Sequence, residues 1–244
     1  MSLTRLKSEL RKYSDKKKAK ILQRFFKTGP GEYAEGDIFL GIKVPILRAL
    51  AERYQCLELN EILKLLKSRI HEERLLSLFL LILKYRKVNL SRKEKIYKAY
   101  LNCSKYINNW DLVDATAKHI IGDFLKDKDR VPLYKLARSD SLWERRIAIL
   151  STFHFIENND FGDTLKIAEI LISDPHDLIH KAVGWMLREV GKRDRGSEEN
   201  FLKKYCTAMP RTMLRYALER FPETKRQAYL QGVVPINSSS CNRE

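Results

Sequence analysis

The chain has 244 residues, long enough for one large domain or two small ones around a sizeable core. Lysine and arginine outnumber aspartate and glutamate by 47 to 31, a net charge of +16, which favours polyanions such as DNA or RNA. The longest strictly apolar run, Leu78 to Leu83, is far too short for a bilayer span, and the scattered cysteines (Cys56, Cys103, Cys206, Cys241) form neither a CxxC pair nor a disulfide framework.

The chain opens with an amphipathic, charged stretch and no apolar signal region, so a reduced cytoplasmic protein working with the chromosome is expected. The run Lys16-Lys17-Lys18 reads as a solvated helix face within reach of phosphate. Thr28 to Pro45 holds four of the ten glycines, Gly29, Gly31, Gly36 and Gly41. It lacks the residue order of a nucleotide-binding loop and reads as an irregular connector.

Helix follows helix from there. Apolar residues recur at three- and four-residue steps over Glu61 to Lys67, His71 to Lys84, Arg92 to Tyr106, Trp143 to Phe155, Thr164 to Ile172 and Asp177 to Val190. The helix from His71 is apolar nearly all round and should be buried between neighbours. Pro132, Pro175, Pro210 and Pro222 fall at or just before helix starts, and Asn109 and Asp174 are expected N-caps. No alternating strand or hairpin dipeptide is evident.

The joints divide the middle and C-terminal parts of the chain into helix pairs of about 35 residues, the period of HEAT-like repeats. The fold expected is all-α, a curved α-solenoid forming one domain over 1–232, with a disordered tail over 233–244. A row of positions recurs through the repeats: Arg74, Asp114, Arg146, Lys181 and Arg215, at steps of 40, 32, 35 and 34. One acid thus stands in a row of bases that should line the concave face. Trp110 precedes Asp114 by four residues and Trp185 follows Lys181 by four, so each pair shares a helical face. Aromatic faces and cations would alternate there, a pattern suited to nucleic acid. Each tryptophan taken singly also fits a helix–helix seam, and Trp143 is assigned to one. His71-Glu72-Glu73-Arg74 lacks the second histidine of HExxH, so no metal is expected. The five histidines are scattered, and polar roles facing solvent or DNA are expected for them.

Five segments carry a family resemblance: Phe39-Leu-Gly-Ile-Lys-Val-Pro45, His71-Glu-Glu-Arg-Leu-Leu76, Asn109-Trp-Asp-Leu-Val-Asp114, Trp143-Glu-Arg-Arg-Ile-Ala148 and His180-Lys-Ala-Val-Gly-Trp-Met-Leu-Arg-Glu189. With them the chain resembles the DNA alkylation repair family of HEAT-like-repeat alkylpurine DNA glycosylases (AlkD-type). The resemblance implies catalytic roles for Asp114, Trp110 and Trp185. It implies DNA contacts for Arg146 and Arg188 and for Tyr33 before the Phe39 segment, and Lys43 within that segment, Lys181, Arg215 and Arg74 are expected to join them. The activity implied is monofunctional base excision: release of cationic N3- or N7-alkylated purines from double-stranded DNA by a monomer that needs no cofactor. The same family resemblance also admits a protein that binds branched or distorted DNA without excising a base.

Overall fold

The computed structural model describes residues 2–233; the tail expected over 233–244 therefore lies, beyond Val233, outside the described residues. Among the described residues the fold is all-helical, the α-solenoid class, with no strand and one isolated parallel bridge between Ile38 and Ile70. The chain divides into two compact units, Met1–Asp129 and Arg130–Glu244.

The first unit begins with α1 (Leu3–Arg11), which buries Leu6 and Leu10, and α2 (Lys16–Phe25), capped by Asp15 accepting from the Lys17 and Lys18 N–H groups. A glycine-rich connector leads to α3 (Val44–Arg53), with Pro45 in its first turn. Gly31, Gly36 and Gly41 have positive φ. At Gly41 a Cβ would also stand 2.2 Å from the Asp15 carbonyl, so this turn admits only glycine. α4 (Leu59–Leu66) starts with a capping box between Glu58 and Glu61. α3 and α4 pack on α5 (His71–Arg86), which is buried on every side through its first three turns. α6 (Leu90–Asn102) is capped by Asn89. The short α7 (Trp110–Asp114) follows, then a π-type turn at Lys118–Gly122 and α8 (Asp123–Leu125). Tyr100 and Thr116 share a buried 2.8 Å hydrogen bond that ties α6 to the end of α7.

The second unit runs through α9 (Val131–Ala137), α10 (Leu142–Ser151), α11 (Phe153–Glu157), α12 (Gly162–Ile170), α13 (Asp177–Gly191), α14 (Arg195–Tyr205), α15 (Arg211–Ala217) and α16 (Glu223–Leu230). Its most extensive helix–helix contact is α13 on α15. Gly184 permits it, because a Cβ there would lie 2.4 Å from the Met213 carbonyl and 2.5 Å from Tyr216 Cβ. The expected long helix from Trp143 to Phe155 is broken at Thr152 into α10 and α11; the Ser151 and Thr152 hydroxyls bond back to the carbonyls of Ile147 and Ile149 there. Asn109 caps α7 as expected. Asp174 does not cap α13: His176 does, while Asp174 accepts from the His176 N–H and from Arg145 Nε at 2.6 Å.

Candidate nucleic-acid site

α7 is only five residues long, too short to hold itself in place, so its contacts decide where Trp110 and Asp114 point. Buried Asn109 accepts from the Trp110 N–H at 2.8 Å. Asp111 uses one oxygen for the Leu112 N–H and sets the other 2.8 Å from His71 Nε2 on α5. His71 is 2 % exposed, and its Nδ1 lies 3.5 Å from Asp37 in the glycine-rich connector. Arg74 donates to the same Asp37 oxygen at 2.5 Å and to the Ser68 carbonyl. Burial pulls the His71 pKa down, but the Asp111 charge and hydrogen bonds to both carboxylates outweigh it and raise the pKa above 6.5. Burial acts on Asp37 in the opposite sense, and its bond from His71 and the Arg74 charge prevail, holding its carboxyl below the ordinary value. One imidazole thereby fastens three elements: α5, the connector and α7.

An aromatic stack runs beside this clamp. Trp110 lies on Phe26 (5.2 Å, 23°), Phe26 on Phe39 (5.0 Å, 15°), and Phe39 on His71 (4.4 Å, 19°). Phe25 meets Trp110 edge-on at 5.9 Å. Glu72, next to His71, accepts from the backbone N–H groups of Leu40, Gly41 and Ile42 and so fixes the connector on α5. Trp110 and Asp114 are both half-buried. Burial chiefly raises the pKa of Tyr100; the nearby Asp114 charge adds to this and its hydrogen bond with Thr116 works against it.

In the second unit, Trp185 is half-buried on α13, edge-on to Phe153, and its indole N–H donates to Glu189 one turn on. Lys192 pairs with the same Glu189 oxygen at 2.6 Å. Arg188 pairs with Glu219, Lys181 with Asp177 at 2.8 Å, and Arg215 is exposed on α15 beside a cavity of about 580 Å³ that Tyr216 and Arg226 also line.

Two members of the expected row of bases do not face solvent. Arg74 is 3 % exposed and serves the Asp37 clamp. Arg146 is 4 % exposed and donates to the Leu178 carbonyl across the α10–α13 seam. Both sit in the N-terminal halves of helices whose neighbours bury them, so the sequence period recorded a packing position there. His71 likewise belongs to the interior. Of the remaining expected contacts, Tyr33 is half-buried in the connector and Lys43 is exposed at the start of α3. Trp143 packs in the core as assigned. The roles of Asp111, Asp37 and Glu189 were not anticipated. For Asp37 and Asp111 the one signal was a polar cluster, His71 to Arg74, heading a helix too apolar to leave it in water; Glu189 had none.

Among the described residues no group of three or more His, Cys, Asp or Glu is placed to hold a metal ion, and no helix is long and apolar enough to cross a membrane. Among the described residues the fold is that of an all-helical α-solenoid, in a chain of net charge +16. The chain matches the model of a family described as DNA alkylation repair enzymes over residues 6–221, and it belongs to that family. It is similar in fold to a predicted DNA alkylation repair enzyme from Enterococcus faecalis, at 16 % identity and a TM-score of 0.66, over 86 % of this chain and 97 % of that one. No curated protein matches the sequence. Family membership points to a role in the repair of alkylated DNA, with DNA as substrate.

Proposed function

We propose that the protein is a monofunctional DNA glycosylase that releases cationic N3- or N7-alkylated purines from double-stranded DNA. The observation that carries this reading is the α7 motif: a half-buried carboxylate, Asp114, one helical turn from a half-buried indole, Trp110, on a helix anchored by a buried His71–Asp111 contact, in a chain of charge +16. Alkylation leaves a positive charge on the purine. The bond between that base and C1′ breaks with its electron pair going to the base, which departs neutral. The sugar gains oxocarbenium character, water adds at C1′, and a proton is lost. Asp114 stabilises the sugar cation and orients the water, and Trp110 offers a π face that tolerates positive charge. Trp185 is a second such indole in this proposal, and a Trp185→Ala variant measures its contribution by itself. Lys181, Arg188, Arg215 and Lys43 hold phosphates without reading sequence; Tyr33 stands with them as a backbone contact. Arg146 acts from within the seam by holding α10 to α13. A single domain over 1–232 acting as a monomer completes the proposal.

The competing reading, a protein that binds branched or distorted DNA without excision, shares the basic surface. Incubating the protein with methylated duplex and separating free bases by chromatography distinguishes them. Release of 7-methylguanine or 3-methyladenine supports excision; tight, salt-sensitive binding with no release supports the competitor.

A further inference from the structure

The proposed reaction makes no use of α2. This helix buries none of its residues, yet it carries an apolar face: Ile21 is 66 % and Phe25 61 % exposed. Phe25 meets Phe26 and Trp110 edge-on and leaves the rest of its ring open. Beside it opens a largely apolar cavity of about 410 Å³, within the roughly 300–1,000 Å³ range of small-ligand sites. Phe25, Phe26, Phe39 and Leu75 form its walls, and Lys18 and Lys43 also line it. His71 and Asp111 reach it too, so the cavity adjoins the helix that bears Trp110 and Asp114.

We propose that this cavity receives one unstacked nucleobase of the bound DNA, with Phe25 stacking on the base and Lys18 and Lys43 taking the phosphates on either side of it. The inference rests on the reading that the chain acts on DNA, and it names the element that grips the strand. Charge selects this occupant. α2 carries Lys16, Lys17, Lys18, Lys20 and Arg24 and no acidic residue, and the two carboxylates that line the cavity are engaged, Glu72 by the Leu40, Gly41 and Ile42 N–H groups and Asp111 by His71, so the ligand favoured combines an apolar planar surface with regularly spaced anions. Single-stranded segments of nucleic acid have that combination, and aromatic side chains in basic grooves bind them by stacking. An acidic membrane surface offers the charge without a ring to fill a bounded cavity.

The test uses the full chain and duplexes in which 2-aminopurine stands opposite an abasic site, where a base leaves the stack most easily. Binding of the wild type should change 2-aminopurine emission. Phe25→Ala should abolish that change and weaken binding about 5- to 150-fold, the range for loss of one stacked base. Phe25 is exposed, so the variant keeps its fold, and circular dichroism checks this. Lys18→Ala with Lys43→Ala should flatten the salt dependence of binding. Wild-type binding without an emission change, or a Phe25→Ala variant equal to wild type, overturns the pocket and leaves the DNA reading standing. Failure to bind any DNA overturns both. Phe25-dependent binding to phosphatidylserine vesicles in place of DNA overturns the pocket in favour of a lipid surface.

Discussion

Replacing Asp111 with asparagine isolates the clamp that holds α7. The side chain is nearly isosteric and keeps an oxygen for the Leu112 N–H, now 2.9 Å away. What disappears is the negative charge 2.8 Å from His71 Nε2. Hydrogen bonds to charged groups contribute about 1.5–3 kcal/mol and neutral ones about 0.5–1.5 kcal/mol, so the variant should lose about 1–2 kcal/mol when His71 is protonated. For a chain of this size that is a fall of about 2–8 °C in melting temperature. The pH dependence follows from the raised folded-state pKa of His71. Its contribution is fully present below the unfolded value of about 6.5 and is lost as pH rises through the folded value. The wild-type advantage over Asp111→Asn should therefore be largest near pH 5.5 and shrink in alkaline solution. Urea unfolding followed by tryptophan emission at pH 5.5, 7 and 9 measures it. A penalty that is the same at every pH would refute the charge-based clamp, and so would no penalty at all.

Other consequences are equally direct. Gly184→Ala should destabilise by about 1–3 kcal/mol or more, since its Cβ would collide with the Met213 backbone and loosen α13 from α15; a chemical-denaturation midpoint unchanged from wild type would contradict the crossing described. Arg215→Ala, at an exposed site, should leave stability within about 0.5 kcal/mol and reduce the slope of log K against log salt by about one; an unaltered slope in fluorescence anisotropy removes Arg215 from the phosphate contacts. Glu198 is buried against Gly191, and burial pushes its pKa up to about 8 despite Arg195. A carboxyl with a raised folded pKa stabilises most below about 4.5 and progressively less up to about 8, at about 1.4 kcal/mol per unit. Glu198→Gln should thus gain on the wild type as pH rises across that window, and parallel thermal melts at pH 5 and 8.5 will show whether it does.

The helical class was legible because apolar spacing survives in every long element. α5 and α13 begin where His71 and Asp177 suggested, and the prolines mark the joints. The break at Thr152 was not legible, since the apolar period continues through it and only hydroxyl back-bonding ends the helix. For the site, the motif on α7 drew attention to Trp110 and Asp114 by sequence spacing. The repeat period equally drew in Arg74 and Arg146, because a basic residue at the same helical position can serve a phosphate or a buried carbonyl, and only burial separates the two. The clamp lay beyond reach for another reason. Asp37, His71 and Asp111 are 34 and 40 residues apart and meet only once the connector folds onto α5. Phe25 was hidden because a basic helix with scattered apolar residues looks the same whether that face packs or stays open.

The most direct measurement is base release from methylated duplex DNA by the wild type and Asp114→Asn in parallel, with duplex binding followed in the same samples. Free alkylpurine should appear with the wild type, while the variant binds comparably and releases it on the order of 10²–10³-fold more slowly. Equal release by both proteins, or none from the wild type, would contradict the assignment of Asp114 and of the reaction itself.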